Sequence, residues 1–118
     1  MATQREFPTF VAVTRVKAGR EQEFEGLMPV IAAAHEQARP QLSGQWHLLR
    51  PDPDETSSGA AEYMFLFYGD EQLDAWELEN LFTEVHGEDE GQRLFQQFYD
   101  CLDGEQDVYA FSGEVAKS

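Results

Sequence analysis

The sequence predicts an α+β domain built on one four-stranded antiparallel sheet, and three observations carry that reading. Its 118 residues are enough for one ordinary domain and too few for two. Apolar residues make up 42% and aromatics 13%, enough to bury a core rather than to form a disordered chain. Finally, the apolar positions switch between strand-like and helix-like spacing in the order β-α-β-β-α-β.

Thr9 to Val16 (TFVAVTRV) is rich in β-branched and aromatic residues and is closed by Ala18-Gly19, so it reads as the first strand. Phe24, Leu27, Met28, Ile31, Ala34, His35 and Ala38 then recur at helical spacing up to Pro40. Gly26 and Pro29 predict a kink or a broken start in that helix, because proline removes a donor and clashes with the preceding turn.

Gln45 to Arg50 reads as a short second strand, Asp52 to Gly59 as a loop of turn-forming residues, and Tyr63 to Tyr68 (YMFLFY) as a strand buried on both faces. The two strands form a hairpin. After Gly69 the helical spacing returns through Leu73, Trp76, Leu81, Phe82, Val85 and His86, and again through Leu94, Phe95, Phe98, Tyr99 and Leu102. Gly87 and Gly91 are expected to split it, Gly104 to cap it, and Asp107 to Val115 to form the last strand. This is the ferredoxin-like order, with both helices on one face of the sheet. The other face would expose Val11, Val13, Met64, Leu66, Tyr109 and Phe111, which predicts a homodimer closed sheet to sheet. One domain over 1–118 is expected, with its ordered core at about 9–115 and frayed ends at Met1 to Pro8 and Ala116 to Ser118.

Eight basic against 23 acidic residues give a net charge of −15, a poor match for nucleic acid or an anionic lipid surface. Residues 70 to 107 hold 13 of the acids and a single base, Arg93. That run reads as a solvated helical face, suited to a salt-rich cytoplasm, or as a surface that steers a cation or basic partner. Cys101 is the only cysteine; its place on the Phe98, Tyr99 and Leu102 stripe marks it as a buried hydrophobe rather than a nucleophile. With no signal-like segment and no apolar run of membrane-spanning length, the expected location is the cytoplasm.

No phosphate loop, dinucleotide fingerprint, nucleophile elbow or paired-histidine metal motif is present. Of His35, His47 and His86, the last is the candidate for chemistry. It ends an apolar helical stretch beside Glu88, Asp89 and Glu90, where it either faces a cavity or packs the helix end.

The strand Val11 to Val16 leading into Lys17-Ala18-Gly19, the run Leu48-Leu49-Arg50-Pro51, and Gly69 to Trp76 followed by Phe82 and His86 resemble the antibiotic biosynthesis monooxygenase superfamily, nearest to its haem-degrading members. The resemblance spans about residues 9 to 115 and implies a dimeric α+β barrel with a pocket between sheet and helices. In haem-degrading relatives an Asn on the first strand, a Trp on the helix after the third strand and a His about ten residues later line that pocket. Trp76 and His86 match the last two, whereas Ala12 stands where the Asn would be. The implied roles are stacking on the ligand for Trp76, and iron ligation or acid–base work for His86. Without the Asn, the pocket would hold haem with little turnover, or another flat aromatic ligand. The expected function is therefore a monooxygenase-like protein of haem-degrading or cofactor-free type. The alternative is a non-catalytic ligand-binding or stress-response dimer that keeps the fold.

Overall fold

The computed structural model describes residues 7–52 and 60–116. In chain order its elements are β1 (Phe10–Val16), α1 (Glu21–Gly26), α2 (Met28–Ala38), β2 (Trp46–Leu49), β3 (Ala61–Phe67), α3 (Leu78–His86), α4 (Glu88–Asp100) and β4 (Asp107–Ala110), with short 3-10 turns at Pro40–Leu42 and Leu73–Trp76. The four strands form one sheet in the order β2-β3-β1-β4, every neighbouring pair antiparallel. This is the predicted ferredoxin-like topology. The expected loop after β2 falls mainly on residues 53–59, and the expected frayed ends on 1–6 and 117–118, outside the described residues.

The register sorts side chains between the two faces. Ala12 lies opposite Phe65, Thr14 opposite Tyr63, and Val16 opposite Ala61, all buried against the helices. On the other face Val11 pairs with Leu66 and with Tyr109, and Val13 with Met64. Much of that face is open: Met64 is 36% exposed and Tyr109 53%, and Leu49 and Phe111 are exposed too. The apolar sheet face expected from the alternation is therefore present in the single chain.

The expected weak point in the first helix is a complete break. α1 ends at Gly26, Leu27 bridges, and α2 restarts with Pro29 in its first turn, where its missing N–H costs nothing. Gly87, at φ +87°, closes α3 and separates it from α4 as predicted. Gly91 does not split the helix: it lies inside α4, where a Cβ would fall 2.5 Å from Thr83 Cα. Its role is to let α3 and α4 approach. β4 is shorter than predicted, ending at Ala110, although Phe111 still donates its N–H to the Thr9 carbonyl. Gly104 does not cap α4, which ends at Asp100; it turns the chain toward β4 at φ +97°.

Phe24, Phe82, Ile31, Leu81, Val16 and Cys101 form the tightest part of the core. The Cys101 thiol donates to Glu23 Oε2 at 3.4 Å, and burial with that carboxylate pushes its pKa up to about 11. A buried, protonated thiol is a packing group, as its place on the helix stripe predicted.

Candidate functional site

A cavity of about 280 Å³ lies between the sheet and the helices. The small Ala12 side chain leaves space over the middle of β1, and Phe65 and Phe67, two apart on β3, stack beside it with ring centroids 5.8 Å apart. Trp46 from β2, Phe95 and Phe98 from α4, Ile31 and His35 from α2, and Trp76 complete the wall. Trp76 is delivered by the 3-10 turn, whose end at Glu77 is extended (φ −65°, ψ 123°), so Trp76 and α3 do not belong to one continuous helix. Its ring packs 4.8 Å from that of Phe67 and is 5% exposed. The exposed lining residues Leu73, Glu77, Glu79 and Val108 mark the opening to solvent.

His35 is the unusual member of this wall. It is 2% exposed, and neither Nδ1 nor Nε2 has a hydrogen-bond partner. It lies between the two tryptophans, 5.7 Å from Trp46 and 5.5 Å from Trp76 between ring centroids. Burial, and secondarily the Arg39 charge, push its pKa down to about 4, while a contact with the Ile31 backbone carbonyl one helical turn back, short of full hydrogen-bond geometry, raises it. The imidazole is therefore neutral at pH 7, with one nitrogen able to donate and the other to accept. A buried polar group left without partners costs stability, so its position beside a cavity invites a ligand that completes its hydrogen bonds.

A second polar group reaches the cavity from the start of β4. Thr14 donates its hydroxyl to the Ala12 carbonyl at 3.3 Å, and accepts the Gln106 side-chain N–H at 2.8 Å. That bond fixes the amide orientation and uses one of its two N–H donors.

Of the three residues singled out from the sequence, Trp76 and Ala12 line this cavity and His86 does not. His86 is exposed at the end of α3, its ring 6.4 Å from that of Phe82 on the same helix. Trp76 belongs to the 3-10 turn and His86 to the far end of α3, with extended Glu77 between the two elements. His35 carries the imidazole in the cavity; its signal in the sequence was its place on the apolar stripe of α2, i+4 from Ile31.

The lining does not fit haem. His86 lies outside it, Ala12 offers no amide, and no lysine or arginine among the lining residues could meet propionates. Arg15 pairs with Glu62 and Asp107, Arg39 with Glu84, Arg50 with Glu25, Arg20 with Glu23 and Arg93 with Glu90, so every described arginine faces a carboxylate. The volume also lies at the small end for ligand cavities, suiting one or two rings rather than a tetrapyrrole. Among the described residues, no cluster of three His, Cys, Asp or Glu side chains is placed to hold a metal ion, and no helix is long and apolar enough to cross a membrane.

No protein-family model and no curated protein matches the chain. Among solved structures it is similar to a "putative antibiotic biosynthesis monooxygenase" from Caulobacter crescentus, with 16% sequence identity, a TM-score of 0.49, and 92% of this chain and 93% of that one covered. A likeness of that degree says nothing of chemistry; the fold rests on the strand order and register, and the site on the geometry of its lining.

Proposed function

We propose that the chain binds a small, flat aromatic molecule carrying a polar substituent in the cavity beneath α2, and that His35 makes the hydrogen bond that orients it. The observation that carries this reading is a neutral, buried imidazole with both nitrogens unpartnered in a wall rich in aromatic rings. Stacking and edge contacts with Trp46, Trp76, Phe65 and Phe67 supply affinity, and one or two polar groups supply orientation, the usual division of labour in a small-molecule site. Burial that holds the pKa near 4 makes His35 a weak base, so its role is to accept or donate a hydrogen bond rather than to carry a proton. That bond orients the substrate of a cofactor-free oxygenase and serves recognition alone in a non-catalytic binder. A second copy of the chain covers the exposed sheet face in this reading.

Quenching of the Trp46 and Trp76 fluorescence by 2-naphthalenemethanol, with 2-methylnaphthalene as the probe lacking a hydroxyl, tests the binding. Both should bind, the alcohol more tightly, and His35→Leu should weaken the alcohol about 3- to 10-fold while sparing the hydrocarbon. Equal loss of both probes, or binding of neither to the wild-type protein, would refute the reading. Oxygen uptake with a naphthohydroquinone separates enzyme from binder.

A further inference from the structure

The charged groups around the cavity are all of one sign. Its neutral polar groups, the Gln106 amide, His35 and the indole N–H of Trp46 and Trp76, offer both donors and acceptors. At the opening, the Glu77 carboxylate accepts the Asn80 side-chain N–H at 2.9 Å and that of Glu79 accepts the Gln92 N–H at 3.1 Å. Both partners are uncharged amides, so neither carboxylate is neutralised. No lysine or arginine lines the cavity, and the described arginines are engaged with other carboxylates. Two carboxylates and no described cation thus stand around a box of indole and phenyl faces.

We propose that this cavity selects an arylalkylamine in its cationic form, the ring held among Trp46, Phe65, Phe67 and Trp76 and the ammonium directed toward Glu77 and Glu79. The proposal rests on the aromatic-ligand reading above and names the charge class of that ligand. An ammonium group brings the charge opposite to that of Glu77 and Glu79, and it is attracted by tryptophan faces as well as by carboxylates. An aromatic carboxylate of the same shape would place its charge beside Glu77 and Glu79 without a cation to meet it, which opposes binding. His35 does not counter the selection, because a ring that stays neutral adds no positive charge to the wall. The excess of acidic residues in the surrounding chain enriches cations near the opening in the same direction.

Three probes that share one ring system separate these effects by calorimetric titration of the whole chain at low ionic strength: 2-naphthylmethylamine, 2-naphthalenemethanol and 2-naphthoate. The amine should bind about 3- to 10-fold more tightly than the alcohol, and the carboxylate more weakly than either; added salt should shrink the amine's advantage. In Glu77→Gln/Glu79→Gln the ratio of amine to alcohol affinity should fall to about one. Both positions are exposed, so circular dichroism should show a folded protein. Binding of the alcohol with no advantage for the amine, or an advantage that survives the double substitution, would overturn the charge selection and leave the aromatic site standing. Binding of none of the three would overturn both.

Discussion

His35 and Trp76 meet edge to face in the cavity wall, their ring centroids 5.5 Å apart and their planes at 65°. The contact holds an imidazole in place by packing alone, from two elements far apart in sequence, α2 and the 3-10 turn before α3. Trp46 packs 5.7 Å from the same ring, and neither ring nitrogen makes a full hydrogen bond.

The depressed pKa of His35 makes stability depend on pH. An unfolded histidine takes up its proton near pH 6.5, whereas the folded one resists until about pH 4. The unfolded state therefore binds more protons across that window, and the protein loses stability as pH falls from about 6.5 to about 4, by on the order of 3 kcal/mol in total. Urea unfolding of the wild type and His35→Leu at pH 7 and pH 4.5 should show a smaller loss in the variant. Identical pH dependence would mean that His35 titrates normally in the folded protein.

Replacing Gly91 by alanine should lower the thermal midpoint by roughly 5–15 °C, because the new methyl meets backbone of Thr83 and Phe82 rather than a flexible side chain. A melting curve unchanged by Gly91→Ala would show that α3 and α4 are less closely packed than described.

The Cys101 thiol should be silent to Ellman's reagent in the native protein and react only on unfolding, since it is fully buried and its pKa is raised. Cys101→Ser should reduce stability by about 1–2 kcal/mol by burying a hydroxyl in the apolar core, while 2-naphthalenemethanol binding persists. Rapid labelling of native protein would contradict this.

A homodimer closed over the open sheet face should scatter light as twice the 13.5 kDa chain, and Met64→Lys/Leu66→Asp, on central β3, should make it monomeric. A wild-type monomer at micromolar concentration would exclude that assembly.

His86→Ala should leave the affinity for 2-naphthalenemethanol unchanged, and Trp76→Ala should reduce it severely, because only Trp76 lines the cavity. This contrast shows how much of the site was legible in the sequence. The period switching between strand and helix gave the element order, and the alternation on β1 and β3 sorted the two sheet faces, because both signals are local. Trp76 was found from its surrounding motif. His35 was not singled out, since a histidine on an apolar helical stripe has the same pattern whether its nitrogens are satisfied or orphaned; that depends on Trp46 and Trp76 arriving from elsewhere in the chain. Gly91 read as a helix breaker because its spacing cannot reveal the neighbouring helix that requires it.

The most direct measurement is the side-chain ¹⁵N spectrum of His35, assigned by its loss in His35→Leu, recorded at pH 6 during titration with 2-naphthalenemethanol. A buried imidazole with a pKa near 4 gives the neutral pattern at that pH, and the ring nitrogen that meets the probe's hydroxyl should shift saturably. A protonated ring at pH 6, or His35 resonances that stay fixed while the probe binds, would contradict the account.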